Sequence, residues 1–158
     1  MNNLVLHLGS NIGDRQAQLQ EAIHRDRIRY WKSKSAHPYT KPKPGVKDQD
    51  DFLNQVLIVA TSLDAENALL KCKSIEKDMG SIKNRNLGAR TIDIDVLFFN
   101  DTVVVKRKYR NSPPYDRKRN FVLIPLMEIM GEYIHPVLQK QLKNYTKKAM
   151  IHQVWIYD

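Results

Sequence analysis

Apolar and polar positions alternate most strictly in RTIDIDVLFFN, residues 90–100. β-Branched and aromatic residues at a period of two, closed by Asn100, predict a strand. The alternation assigns Ile92, Ile94, Val96 and Phe98 to one face and Asp93, Asp95, Leu97 and Phe99 to the other. Leu4 to Leu8 is another short apolar strand, ending at Gly9. The loop GSNIGDR follows, with Asp14 placed to cap a helix carrying Ala17, Leu19, Ala22 and Ile23. Residues 28–36 read as a strand with an exposed basic face. FLNQVLIVATS, from Phe52, is apolar on both faces, the pattern of a central strand. Ala65, Ala68, Leu69, Cys72, Ile75 and Met79 then form one helical stripe, closed by Gly80 at the C′ position. Thr102 to Val105 is expected to pair back as a hairpin. FVLIPLMEIM begins apolar and is expected to turn helical after Pro125, and a further helix is expected from about Pro136 to Lys148.

The order strand, helix, strand, strand, helix, strand predicts an α+β fold: a ferredoxin-like βαββαβ core with a C-terminal extension of a hairpin and helices. Residues 1–158 are expected to form a single domain. Three polar segments interrupt the elements: the Pro-rich HPYTKPKPGVKDQDD, the basic SIKNRNLGAR, and KRKYRNSPPYDRKRN, dense in Lys and Arg. Long loops on a rigid sheet are where function tends to sit.

A formal net charge of +9 attracts polyanions, whether nucleic acid, acidic membrane or phosphorylated small molecules, unless the basic surface serves only solubility. No apolar run approaches membrane-spanning length, and no basic segment precedes the first apolar stretch, so neither a membrane span nor a signal peptide is expected. The single cysteine, Cys72, cannot form an internal disulfide or a thiolate cluster, and its place on a helical stripe reads as core packing. A reducing, cytoplasmic setting is the expectation.

The aspartates of the 90–100 strand raise the sharpest question. Residues two apart on a strand lie roughly 7 Å apart and point the same way. Ionised carboxylates that close repel, and burying them is costly. A shared proton, neighbouring arginines or divalent cations would each resolve the repulsion, and so would an edge strand whose Asp face is wet. Arg90 and the basic loops nearby suit Mg²⁺ with a polyphosphate, because Mg²⁺ takes one or two protein carboxylates and completes its shell from phosphate and water.

Four segments carry a family resemblance: LGSNIGDR, DQDDFLN, GARTIDIDVLFFN and RNFVLIPLMEI. In this order and spacing they resemble the 6-hydroxymethyl-7,8-dihydropterin pyrophosphokinases of folate biosynthesis, over most of the chain from Gly9 to about Ile129. The resemblance implies transfer of diphosphate from ATP to the hydroxymethyl of a reduced pterin, releasing AMP. It implies that Asp93 and Asp95 hold two Mg²⁺ ions bound with ATP. Phe52, Asn54 and Phe121 match the family's pterin-binding rings and amide, and Pro44 and Gly45 match its Pro-rich substrate loop. Arg90 and Arg119 match arginines that hold ATP phosphates, and Leu69, Lys73 and Glu76 match the helix edge that meets the nucleotide. Gly9, Ser10 and Asn11 match a motif read as mainly architectural; it lacks the Gly-Lys-Ser/Thr of a P-loop.

The loops depart from the family. Gly80-Ser81-Ile82-Lys83 stands where the family has Gly-Arg-x-Arg, Ala89 replaces a proline, and Pro113-Pro114 replaces Pro-His. Lys83, Arg85 and Tyr115, with Arg117 and Lys118, are the candidates to contact ATP instead. The implied partners are ATP and a reduced pterin, without nucleic acid or membrane, for a monomer. The rival readings are a degenerate non-catalytic relative and a basic nucleic-acid-binding ferredoxin-like module; for the latter, no RNP-type aromatic pattern is present.

Overall fold

The computed structural model describes residues 1–25, 34–41, 50–81, 90–104, 120–136, 139–145 and 155–156. Its elements in chain order are β1 (Asn2–Ser10), α1 (Arg15–Arg25), β2 (Lys34–Ser35), β3 (Tyr39–Lys41), β4 (Phe52–Thr61), α2 (Ala65–Asp78), β5 (Asp93–Phe99), β6 (Thr102–Val103), α3 (Asn120–Met130), a 3-10 turn (Leu142–Tyr145) and β7 (Trp155–Ile156). Antiparallel pairing joins a seven-stranded sheet in the order β6-β5-β1-β4-β3-β7, with β2 also on β4. Taking β2 and β3 as one interrupted strand gives the ferredoxin-like βαββαβ core. Among the described residues no helix is long and apolar enough to cross a membrane.

The second strand is interrupted for a local reason. Pro38 has no N–H to give to a ladder. At the break, Gln55 Nε2 donates to Ala36 O at 2.9 Å and to Ser35 Oγ at 2.8 Å, while Ala36 N donates to Val56 O at 3.0 Å. The gap in the ladder is thus filled by a buried amide from β4.

Two apolar clusters cover the two faces of the sheet. Leu4, Leu6, Leu8, Leu53, Leu57, Ile92, Ile94 and Val96 pack with Leu19 and Ala22 of α1 and Ala68, Cys72 and Ile75 of α2. Val5, Val56, Leu97 and Phe98 pack on the other face with Val122, Leu123, Leu126 and Ile129 of α3. Asp14 Oδ1 caps α1 by accepting Ala17 N at 3.0 Å, and Gly80 closes α2 at φ 73°. Cys72 is a buried member of the first cluster. Ala65 is exposed, so the buried stripe of α2 begins one turn later than its periodicity suggests.

Three expectations are corrected. Strict alternation in β5 fails after Val96: Leu6 pairs with Val96 but Val5 pairs with Phe98, so Leu97 is the extra residue of a bulge. Phe98 therefore joins Leu97 in the α3 cluster, and Phe99 packs against the α1/α2 cluster. Helix α3 starts at Asn120, not after Pro125. Pro125 removes one backbone bond, to the Phe121 carbonyl, but Val122, Leu123, Leu126 and Ile129 form a single apolar stripe whose burial outweighs it. The described part of 136–148 is not an α-helix. Gln139 takes φ 53°, Ile134 bridges Gln141, and one 3-10 turn follows, anchored by the fully buried Leu142. The hairpin from Thr102 does form, and the C-terminal Trp155–Ile156 adds an edge strand on β3.

Candidate functional site

All the central strands change character at the same level. On the face under α3, β1 runs from Val5 to His7 to Gly9, β4 runs back from Ile58 and Val56 to Asn54 and Phe52, and β5 runs from the bulge to Asp95 and Asp93. Register places Asp95 opposite His7, and Gly9 between Asp93 and Asn54. Helix α3 covers the apolar end of this face. The polar end is left as a patch of half-buried carboxylates, a buried amide, a buried imidazole and two rings. This explains why so apolar a strand carries two carboxylates: their face leaves the core at Asp95.

Gly9 forms the floor. A Cβ there would lie 3.3 Å from Asn54 Oδ1, 3.6 Å from Phe52 Cδ1 and 3.8 Å from His7 Cε1. Glycine keeps that floor low, so the motif containing it shapes the recess as well as the turn. Phe52 and Asn54 share the face by alternation, and Asn54 is 2% exposed. Phe121 enters from the first turn of α3, its ring 5.6 Å from that of His7. The site ring-and-amide set expected from the sequence is thus brought to one place.

The strand that bears the carboxylates is fastened by Arg90, Asn11 and Glu76. Arg90 Nη1 donates to Asp93 Oδ2 at 2.8 Å, neutralising one of the pair. The backbone of Arg90 is itself clamped: its N–H donates to Asn11 Oδ1 at 2.6 Å, and Asn11 N donates to Arg90 O at 3.1 Å. Behind the strand, Glu76 Oε1 accepts the Ile94 amide at 2.7 Å. β6 pairs only with Phe98 and Phe99, so Glu76 satisfies backbone at the edge that β6 leaves open. Glu76 is 6% exposed, not the solvated helix-edge residue its surroundings in sequence suggest. Leu69 and Lys73 precede it at helical spacing on α2, half-buried and exposed respectively.

Asp93 and Asp95 offer hard oxygen donors on one face, partly open to solvent. Among the described residues no cluster of three or more His, Cys, Asp or Glu could hold a metal. A carboxylate pair fits Mg²⁺ that draws its remaining ligands from phosphate and water. Pro44, Gly45, Lys83, Arg85, Tyr115 and Arg119 lie outside the described residues.

At the mouth of the Pro-rich segment, Glu128 of α3 accepts from the Tyr39 hydroxyl at 3.0 Å and the His37 amide at 3.1 Å. Burial and the Glu128 carboxylate push the Tyr39 phenol up to about 12, so it stays a neutral donor. Sequence reasoning missed His7, Glu76 as a strand support, and Asn11 as a clamp. A readable signal existed only for His7, a polar residue interrupting an apolar strand two positions before a glycine.

The fold and this face define an α+β domain of ferredoxin-like type with a carboxylate-bearing sheet. Solved structures share the fold: that of an HPPK-DHPS in complex with substrates matches with a TM-score of 0.66 at 17% identity, over 91% of this chain and 42% of that one. Wild-type Plasmodium falciparum HPPK-DHPS matches at 0.65 and 17%, over 93% of this chain and 44% of that one. A model of the 7,8-dihydro-6-hydroxymethylpterin-pyrophosphokinase (HPPK) family matches residues 5–131. The 2-amino-4-hydroxy-6-hydroxymethyldihydropteridine pyrophosphokinase of Aquifex aeolicus is 37% identical over 145 residues, 92% of this chain and 91% of the relative. The like-named protein of Methylorubrum extorquens is 38% identical over 138 residues, covering 85% and 86%. The folic acid synthesis protein fol1 of Pneumocystis carinii is 33% identical over 150 residues, and the chain spans 20% of its length. The chain belongs to the 7,8-dihydro-6-hydroxymethylpterin-pyrophosphokinase family.

Proposed function

We propose that this chain transfers a diphosphoryl group from ATP to the hydroxymethyl group of 6-hydroxymethyl-7,8-dihydropterin in folate biosynthesis. The substrate oxygen attacks the β-phosphorus, the bond between that phosphorus and the α,β-bridging oxygen breaks, AMP leaves, and the hydroxyl proton is released. The observation that carries this reading is the carboxylate pair Asp93/Asp95 with Arg90, set on the same sheet face as the Gly9, Phe52, Asn54 and Phe121 recess.

Each part has a job within reach. Asp93 and Asp95 would hold Mg²⁺, which when bound neutralises phosphate charge and makes a coordinated hydroxyl easier to deprotonate. Arg90 keeps Asp93 neutralised before nucleotide arrives, then turns its planar fork to a phosphate. Phe52 and Phe121 offer ring faces to a flat pterin, and Asn54 reads its polar edge. Leu69 and Lys73 line the nucleotide side of α2. Arg119, Lys83, Arg85 and Tyr115 would supply further phosphate contacts, and Pro44 and Gly45 further contacts to the pterin, as the family resemblance implies. Holding both substrates in line supplies much of the rate through positioning.

Incubation with ATP, Mg²⁺ and 6-hydroxymethyl-7,8-dihydropterin tests the proposal. AMP release that depends on the pterin is expected. ADP would identify ordinary phosphoryl transfer, and folded protein giving no nucleotide product would overturn the catalytic reading.

A further inference from the structure

His7 sits in mid-strand on the carboxylate face and is 5% exposed. Its register partners are Asp95 on β5 and Val56 on β4. Its ring lies beside that of Phe121, and its Nε2 is 3.1 Å from Asn54 Oδ1. None of the roles given above uses a histidine there, and an apolar residue would suit β1 better by propensity alone.

The amide of Asn54 settles what His7 does. Asn54 Nδ2 lies 3.2 Å from the Phe52 carbonyl oxygen, which can only accept. The amide nitrogen must therefore face Phe52, and the amide oxygen must face His7. An amide oxygen only accepts, so His7 Nε2 carries the hydrogen and donates it. One imidazole thus packs on Phe121 and bonds Asn54, while Asn54 bonds the backbone of Phe52.

We propose that His7 is a positioning residue for pterin recognition: by donating to Asn54 Oδ1, it locks the carboxamide in one orientation before substrate arrives. This rests on the reading of Asn54 as the amide that binds the pterin. A carboxamide free to flip exchanges its donor and acceptor. A pterin edge presents donors and acceptors in a fixed order and pairs with one orientation only. Locking the amide in advance removes the ordering cost from binding and rejects rings whose edge has the opposite pattern.

His7→Phe keeps a ring against Phe121 and removes the donor. It is expected to raise KM for the pterin about three- to tenfold, the worth of one hydrogen bond, with KM for ATP and kcat within about twofold. His7→Gln, which retains an N–H donor, should recover part of the loss. In an Asn54→Ala background the His7→Phe penalty should vanish, because the partner is gone. Penalties that simply add, or an equal rise in KM for ATP, would overturn the proposal. If Asn54→Ala leaves KM for the pterin unchanged, the reading of Asn54 fails and takes the inference with it. A large Asn54→Ala effect beside a silent His7→Phe sinks the inference alone. Isotope-labelled imidazole NMR of the unsubstituted protein gives a test that needs no variant to fold. The hydrogen is expected on Nε2 at about pH 8, and a neutral ring protonated on Nδ1 would refute the donor role.

Discussion

The carboxylate of Glu76 and the backbone amide of Ile94 are joined by a 2.7 Å hydrogen bond that falls between Asp93 and Asp95. A helix on one face of the sheet thereby holds the strand whose carboxylates point from the other. Because the bond is made to backbone, it sets where both aspartates stand without touching either side chain.

Glu76→Ala leaves the Ile94 amide without its buried acceptor. It is expected to cost about 1–3 kcal/mol in urea unfolding, the penalty for an orphaned buried group. Turnover should fall as well, since the strand edge that aims the aspartates is loosened. Glu76→Gln keeps an acceptor oxygen and should retain more of both. Equal unfolding midpoints for Glu76→Ala and the parent protein would show that the bond contributes nothing.

Asp95→Ala should lower AMP release by about a thousandfold or more, because half of the carboxylate pair proposed for the metal is removed. The half-exposed position predicts a change in unfolding free energy within about 1 kcal/mol. Near-parent turnover by a folded Asp95→Ala protein would remove this residue from the mechanism.

Gly9 tests the recess independently of charge. In Gly9→Ala the new methyl meets Asn54 Oδ1 at 3.3 Å, tighter than ordinary contact, and Gly9→Val adds bulk beside Phe52. KM for the pterin should rise about tenfold or more in Gly9→Val, an increment comparable to overpacking a fitted site. KM for ATP should stay near the parent value. Comparable changes in both constants would mean that Gly9 supports the whole end of the sheet.

His135 predicts a pH dependence. It is 1% exposed, its ring packs edge-on to Phe98, and burial lowers its pKa from 6.5. The unfolded chain therefore binds a proton that the folded chain resists between the lowered value and 6.5. This destabilisation is absent above 6.5 and grows as pH falls from there toward the lowered value. Thermal midpoints should drop across that window, and His135→Phe should flatten the slope there. An unchanged slope in a folded His135→Phe protein would assign the dependence to other groups.

Much of the site was legible because its parts are local. Asp93 and Asp95 share a face whatever their strand pairs with, and so do Phe52 and Asn54, since both pairs are two residues apart. Asp14 caps its own helix three residues on, and the α2 stripe needs only helical spacing. Other features were hidden because they depend on partners far along the chain. The bulge at Leu97 arises from register against β1, and it reverses the faces of Phe98 and Phe99. Glu76 looks like any helix carboxylate until α2 is laid beside the open edge of β5.

Periodicity thus settled where β1, α1, β4 and α2 run, and that two carboxylates project together from β5. It does so because burial repeats with the geometry of each element. Assembly settled which polar groups meet: Arg90 with Asp93, Asn11 with the backbone of Arg90, Glu76 with Ile94 and His7 with Asn54. It also settled that Pro125 lies inside α3, and that residues 139–141 form a turn and bridge. Buried polar groups must find partners wherever the packed sheet offers them, and no local pattern records which distant residue will be there.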